Sequence, residues 1–282
     1  MRFLHRVAFL AIALPAIFIP PAAASPARTT INFSSLDSNH PYKVSGVLYL
    51  PENAASPVPA IVLIHGTLGI DKRSLLYRKP LLDAGIGIFE VDFKTGVYKS
   101  TTDRPDPDIF LPLAFAALKE LRKIPSIDPS RIGIMGFSLG GQIALRAALE
   151  GNRKQWMGAD KGFVAFATFY PVCKAFIKEL DKNGSQLTGG PIIVFYGTND
   201  SYGEGSAVPK LKKLLAKKFN FQLDTVEYLG ASHAFNLHVP DMSYFDPAAN
   251  GFRGHTSWNP EATNDSILKV VAFLKENLVS RV

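Results

Sequence analysis

Short unbroken runs of apolar residues recur along the chain, separated by amphipathic stretches. Six of these runs have the length of a β-strand and show almost no alternation between apolar and polar positions: Ala60–Ile64, Ile86–Val91, Arg131–Phe137, Phe163–Phe169, Pro191–Tyr196 and Leu223–Leu229. Strands that are covered on both faces have this pattern, because neither side of the strand meets water. The six runs therefore predict a mostly parallel sheet.

The amphipathic stretches between the runs predict helices. Apolar residues three and four positions apart form single stripes over Phe110–Leu121, Leu211–Phe219 and Ile267–Leu278. Strands that alternate with helices are typical of one doubly wound α/β sheet with right-handed crossovers.

Two further segments near the start of the chain do alternate between apolar and polar residues. Thr29–Leu36 and Val44–Leu50 flank the turn residues Asp37–Pro41. This arrangement predicts an antiparallel hairpin. We expect it to form the edge strands of the sheet.

The first 24 residues have the pattern of a secretory signal. Arg2 and Arg6 precede the apolar run Val7–Ile19, and Ala22–Ala24 offers small residues for cleavage. An uncleaved membrane anchor is the alternative, but the run is shorter than the ~20 residues that cross a bilayer. We expect residues 1–24 to be removed and residues 25–282 to form a single domain. The mature protein is then expected to be periplasmic or secreted, without a stable membrane anchor.

Composition and charge exclude several classes of protein. Hydrophobic residues make up 47% and charged residues 20% of the 282 positions, which fits neither a disordered nor a fibrous chain. Without the two leader arginines, 29 basic residues face 24 acidic ones, a surplus of 29 − 24 = +5. The basic residues form no long stripe, so no nucleic-acid partner is expected, and Lys210–Lys218 is interpreted as a solvated helix face.

The single cysteine, Cys173, forms neither an intrachain disulfide nor a cysteine metal cluster and is expected to be a buried apolar filler.

The strongest chemical signal is the segment Gly136–Gly141, with the sequence Gly-Phe-Ser-Leu-Gly-Gly. An apolar strand enters it and a helical stretch leaves it, which is the context of a nucleophile elbow. Such a turn is so tight that Ser138 takes a strained backbone conformation and the flanking positions have no room for a Cβ. A glycine-rich turn with an ordinary serine is the alternative.

A serine nucleophile needs a base that is held by an acid. In this kind of fold the two partners follow the serine along the chain, each directly after a strand. Asp200 follows the run Pro191–Tyr196, and His233 follows the run Leu223–Leu229. We therefore expect Asp200 and His233 to act with Ser138.

Three other residues compete for these roles. His238 and His255 lie further along the chain, but neither directly follows a predicted strand. Asp224 comes at the start of its strand, so it is expected at the opposite edge of the sheet.

The developing oxyanion of an acyl transfer needs two backbone N–H groups. The residue after the nucleophile, Leu139, supplies the first, and Thr67 in the loop after Ala60–Ile64 is the candidate for the second, although that loop allows an offset of one residue. His65 is expected to pack and hydrogen-bond so that it shapes this loop. No nucleotide or metal motif accompanies these residues, so we expect neither cofactor nor metal.

Several of these segments together resemble the α/β-hydrolase superfamily and, within it, the dienelactone hydrolase-like proteins. The resemblance runs from Ile31 to Val282 and is carried by Ile64–Gly69, Asp128–Gly133 with Gly136–Gly141, Gly197–Asp200, Gly230–Phe235 and Gly254–Ala262. It implies an α/β-hydrolase fold in which Ser138, Asp200 and His233 act as nucleophile, orienting acid and base.

The chain departs from the founding members of that family at two positions. Those enzymes have a cysteine nucleophile and a gating glutamate, whereas this chain has Ser138 and Gly66 at the corresponding positions. The departure points to a serine hydrolase that cleaves carboxylic ester bonds in small molecules through an acyl-serine. An amidase or exopeptidase with the same residues, or a noncatalytic periplasmic binding protein, are the alternatives.

The loops Phe93–Arg104 and Met242–Trp258 are expected to overhang the site and set substrate choice.

Overall fold

Eight strands form one sheet in the computed structural model, which describes residues 28–52, 57–98, 107–182, 184–246 and 252–280. The strands are β1 (Arg28–Ser34), β2 (Lys43–Tyr49), β3 (Val58–Ile64), β4 (Gly87–Asp92), β5 (Ile127–Phe137), β6 (Phe166–Phe169), β7 (Ile192–Gly197) and β8 (Asp224–Tyr228). All eight coincide with predicted strands to within a few residues. The predicted leader lies outside the described residues, so its removal stays a prediction.

The sheet is parallel apart from its first two strands. Its order is β1-β2-β4-β3-β5-β6-β7-β8, with β1 and β2 antiparallel to each other and β2 antiparallel to β4. From β4 to β8 every neighbouring pair is parallel. This confirms the mostly parallel, doubly wound sheet with an antiparallel hairpin at its edge.

Strand β3 shows why the apolar runs do not alternate. Ile61 and Leu63 pack into the core on one face of the sheet, whereas Val62 and Ile64 pack into the core on the other. All four side chains are almost completely buried. Each core is closed by helices that cover that face of the sheet.

Eight α-helices are described: α1 (Lys72–Asp83), α2 (Phe93–Val97), α3 (Pro107–Leu121), α4 (Leu139–Ala147), α5 (Glu150–Met157), α6 (Cys173–Leu180), α7 (Glu204–Phe219) and α8 (Pro260–Leu274). Helices α1 and α8 bury their apolar side chains in one core, and α3, α4 and α7 bury theirs in the other. A π-helical turn over Lys275–Val279 continues α8. The lysines of α7 are exposed, as predicted for a solvated face.

The two segments that were expected to be loops contain regular structure. Met242–Trp258 holds a small antiparallel hairpin of β9 (Met242–Asp246) and β10 (Phe252–Thr256). Phe93–Arg104 begins with the short helix α2, and its residues beyond 98 lie outside the described residues. The hairpin was missed because polar and glycine residues interrupt its apolar positions.

In the described parts of the chain, no helix is both long and apolar enough to span a bilayer.

Candidate active site

Ser138 lies at the sharp junction between β5 and α4. Its backbone has φ 53° and ψ −111°, a region that residues with a side chain rarely occupy. The backbones of β5, α4 and β3 come very close there. A Cβ at Gly136 would lie 2.1 Å from the Gly140 carbonyl oxygen, and a Cβ at Gly140 would lie 2.3 Å from the Ile64 carbonyl oxygen. The glycines are therefore required by the close approach, and the predicted strained turn is confirmed.

Three side chains from different parts of the chain meet at this turn. The Ser138 Oγ lies 2.9 Å from His233 Nε2, and His233 Nδ1 lies 2.8 Å from Asp200 Oδ2. The Asp200 side chain is completely buried and that of His233 nearly so. Because Nδ1–H donates to the carboxylate, the neutral imidazole presents Nε2 as the acceptor for the serine hydroxyl.

The carboxyl ends of the parallel strands account for this convergence. Asp200 follows β7 and His233 follows β8, so both residues lie at the same sheet edge as Ser138 at the end of β5. The backbone N–H of Tyr202 donates to Asp200 Oδ1 at 2.8 Å, which fixes the second carboxylate oxygen. The arrangement can transfer a proton from a hydroxyl to an imidazole that is oriented by a carboxylate.

The competing residues lie elsewhere. The His238 ring packs against Trp258 with centroids 4.1 Å apart, and His255 Nε2 lies 3.4 Å from Asp241 Oδ1. Asp224 begins β8 and therefore lies at the opposite edge of the parallel sheet.

The two predicted oxyanion donors flank Ser138 in the fold. Leu139 is the first residue of α4, where the backbone N–H groups have no acceptor inside the helix and the helix dipole favours negative charge. Thr67 lies in the loop after β3, which is closed by a hydrogen bond from the Gly69 N–H to the Gly66 carbonyl at 3.0 Å. Thr67 and Ser138 line the same cavity.

His65 holds the Thr67 loop in place, as expected. Its Nδ1 lies 2.7 Å from the Gly66 carbonyl oxygen, and its Nε2 lies 3.0 Å from the backbone N of Phe93. The first nitrogen therefore donates and the second accepts, so the ring is neutral. Burial lowers the pKa of His65, which is consistent with this state.

A cavity of about 360 Å³ opens in front of Ser138. The β9–β10 hairpin forms part of its wall through Met242, Tyr244, Phe245 and Asp246, and the segment after His233 forms another part. Lys94 and Tyr98, in and after α2, also line it. Both segments that were predicted to overhang the site therefore contribute to its wall.

Sequence reasoning missed a buried polar network behind the imidazole. Arg73 Nη1 donates to the Tyr170 hydroxyl at 3.1 Å, and that hydroxyl donates to Asn236 Oδ1 at 2.5 Å. The Asn236 amide then donates to Tyr77 at 2.7 Å. Arg73 is also paired with Asp71, whose side chain caps α1. The only sign of this network in the sequence was the spacing of Asp71 and Arg73, in which an arginine follows a helix-capping aspartate by two positions.

A second missed residue, Tyr202, connects the hairpin to the site. Its ring lies 4.4 Å from the His233 ring and 4.9 Å from the Phe252 ring, measured between centroids. Its hydroxyl donates to Asp246 in β9. Burial, together with this hydrogen bond, raises the pKa of Tyr202, so its hydroxyl remains a donor at neutral pH.

Among the described residues, no cluster of three or more His, Cys, Asp or Glu side chains has the geometry to hold a metal ion.

The fold and the Ser138–His233–Asp200 geometry together define the class of α/β-hydrolase-fold proteins. Residues 44–278 match the profile of the dienelactone hydrolase family. The chain therefore belongs to the dienelactone hydrolase family, a family of hydrolases.

Similar proteins are consistent with this membership. Esterase FrsA of Photorhabdus laumondii is 35% identical over 113 residues, which are 39% of this chain and 26% of that protein. The chain thus matches about a quarter of the length of that relative.

Solved structures share the fold at low sequence identity. A dienelactone hydrolase-like promiscuous phosphotriesterase from metagenomic libraries superimposes with a TM-score of 0.63 at 18% identity, covering 89% of this chain and 99% of that one. A hyperthermophilic esterase from the archaeon Pyrobaculum calidifontis gives a TM-score of 0.62 at 14% identity, covering 90% and 84%. Thermogutta terrifontis esterase 2 gives 0.59 at 16% identity, covering 86% and 93%.

Proposed function

We propose that the protein is a serine hydrolase that cleaves carboxylic ester bonds of small molecules through an acyl-serine intermediate. The observation that carries this proposal is the continuous hydrogen-bonded series from Ser138 through His233 to Asp200, which opens into a cavity. Membership of a hydrolase family supports it.

The reaction follows from the roles that each atom is placed to take. The Ser138 Oγ attacks the ester carbonyl carbon while His233 Nε2 accepts its proton. The oxyanion that forms receives hydrogen bonds from the backbone N–H groups of Leu139 and Thr67. The imidazolium then gives its proton to the leaving alkoxide, and the acyl group remains on Ser138.

A water molecule completes the cycle. His233 accepts a proton from the water as it attacks the acyl-serine, and returns that proton to Ser138 as the acid product leaves. Throughout, Asp200 keeps the imidazole in the tautomer that has Nε2 free and stabilises the imidazolium.

The test is Ser138→Ala, assayed with p-nitrophenyl acetate and with a fluorophosphonate probe. We expect the variant to fold, to lose ester cleavage and to take up no probe, whereas the wild-type protein takes up one equivalent on Ser138. Equal turnover by the two proteins would refute the proposal. A wild-type protein without any adduct would instead indicate a noncatalytic binding protein. Faster turnover of an amide than of the ester with the same acyl group would indicate an amidase or exopeptidase.

We also propose export, on the sequence pattern of residues 1–24 alone. Expression of the full chain in a Gram-negative host, followed by N-terminal sequencing of the periplasmic fraction, tests this. A cytoplasmic product that retains its first residues would refute it.

A further inference from the structure

The wall of the cavity in front of Ser138 is mostly apolar. Leu237 and Val239 lie on one side, after His233, and Met242, Tyr244 and Phe245 of the β9–β10 hairpin lie on another. A volume of about 360 Å³ lies near the lower end of the range of small-molecule sites, about 300–1,000 Å³. A cavity of this size suits an ester with one medium-length alkyl chain or one aromatic ring.

The apolar surface continues out of the cavity to its mouth. Leu68, Met242 and Phe245 line the cavity and yet remain 75%, 45% and 63% exposed, respectively. These three large apolar side chains, exposed around one opening, make an apolar patch of the kind found at binding sites. A bound apolar group would remove this patch from water.

The charged groups at the cavity are already engaged by the protein. Arg73 is paired with the Asp71 carboxylate, and the Lys94 ammonium donates to the Leu68 carbonyl at 2.9 Å. Asp246 accepts the hydrogen bond from Tyr202. The charged side chains that line the cavity therefore already have partners within the protein, and burial of a charged substrate group without a partner would be unfavourable.

We infer that the preferred substrate is an uncharged ester with a medium-length apolar group that lies under the β9–β10 hairpin. This inference rests on the proposed function and specifies its substrate class. The apolar group belongs either to the acyl part or to the alcohol part of the ester, and the two are separated by experiment.

The first experiment measures kcat/KM of the purified protein on two series of uncharged esters. One series consists of p-nitrophenyl acetate, butanoate, hexanoate and octanoate, and the other of ethyl, butyl and hexyl acetate. We expect kcat/KM to rise along one of the two series by up to about fourfold for each buried methylene. The series that rises identifies the part of the ester that occupies the cavity. A flat or falling response in both series would overturn the inference.

The second experiment tests the charge of the substrate. The p-nitrophenyl monoester of octanedioic acid has the chain of the octanoate with a carboxylate at its end. We expect kcat/KM for the octanoate to exceed that for the monoester by at least about tenfold. A preference for the carboxylate would overturn the inference.

The third experiment tests the hairpin itself. We expect Phe245→Ala to lower the ratio of kcat/KM for the longest ester of the rising series to that for the shortest by about fivefold. The matched control is Leu268→Ala, because Leu268 on α8 is 71% exposed and does not line the cavity. An unchanged ratio in Phe245→Ala, or an equal fall in both variants, would overturn the inference.

The outcomes separate this inference from the proposed function. Turnover of short esters with the wrong length or charge preference contradicts only the inference. Absence of both turnover and fluorophosphonate labelling contradicts the proposed function, and the inference with it.

Discussion

Tyr170 packs edge to face against His233, with ring centroids 4.7 Å apart and the rings inclined at 63°. Its backbone has a positive φ of 39°, which is uncommon for so bulky a residue. Burial raises the pKa of its hydroxyl to about 12, so the phenol stays protonated while it bonds Asn236. A strained residue next to the proposed base is consistent with a positioning role.

Tyr170→Phe separates the contribution of the Tyr170 hydroxyl from that of its ring. The phenylalanine keeps the ring against His233 but leaves Arg73 Nη1 and Asn236 Oδ1 without the hydroxyl. We expect the free energy of unfolding to fall by about 1–3 kcal/mol, with kcat changed only a few-fold, as measured by urea denaturation and steady-state kinetics. Tyr170→Leu, which also removes the ring, should lower kcat further.

Tyr98→Phe is the matched control for the lost hydroxyl. The Tyr98 hydroxyl is buried and has no hydrogen-bond partner among the described residues. Its removal should leave the free energy of unfolding unchanged or raise it. An equal loss of stability in Tyr98→Phe and Tyr170→Phe would contradict the role of the network.

Asp200→Asn tests whether the carboxylate orients the imidazole. An asparagine can donate to Nδ1, which favours the tautomer with a proton on Nε2 and removes the acceptor for Ser138. We expect kcat to fall by on the order of 10⁴-fold, with an unchanged melting temperature. Asp241→Asn, at the exposed pair with His255, should change neither quantity. Retention of more than a tenth of kcat in Asp200→Asn would be incompatible with the proposed mechanism.

Gly136→Ala tests the close approach at the elbow. The added Cβ would lie 2.1 Å from a backbone oxygen, so the strand and helix must move apart. We expect a loss of about 3 kcal/mol in the free energy of unfolding, at the upper end of the usual cost of overpacking, measured by denaturant unfolding. Gly151→Ala in α5 is the control: its Cβ meets nothing within 4 Å, and it should stabilise the helix by about 0.5–1 kcal/mol.

Glu204 makes stability depend on pH. The side chain is fully buried, accepts the backbone N–H of Cys173 at 3.0 Å, and has a pKa that burial raises from 4.5 to about 6. Between pH 4.5 and pH 6 the folded protein therefore binds more protons than the unfolded chain. Glu204 contributes about 2 kcal/mol to the free energy of unfolding below about pH 4.5, and this contribution is lost as the pH rises through 6.

Glu204→Gln should remove this dependence. We expect the difference in unfolding free energy between wild type and variant to fall by about 2 kcal/mol from pH 4 to pH 7, measured by urea denaturation at each pH. Glu261→Gln, at an exposed glutamate in the first turn of α8, should reproduce the wild-type profile. A difference that does not vary with pH would show that Glu204 does not titrate in this range.

The sheet and the Ser138 turn could be predicted because local patterns determine them. Unbroken apolar runs reflect burial on both faces, and the glycine at 136 reflects a backbone contact with the Gly140 carbonyl within the same turn. Chain order and strand placement were enough to find Asp200 and His233, because parallel strands bring their carboxyl ends to one edge.

The surroundings of the imidazole could not be predicted in the same way. Tyr170 and Asn236 are 66 positions apart, and nothing near either residue indicates the other. The β9–β10 hairpin lacks a clear alternation, because Tyr202 and the cavity decide which of its side chains are covered. Contacts between distant segments that depend on side-chain shape leave no periodic signal in the sequence.

Cys173 is the single cysteine of the chain, is fully buried, and has a thiol whose pKa is held well above its ordinary range by burial. Maleimide reagents attack thiolates at the surface, so this sulfur should remain unmodified in the folded protein. A thiol introduced at Phe245 would then be the sole attachment point for a fluorophore. The emission of that fluorophore would change when a ligand enters beneath the hairpin, and the native thiol would add no background.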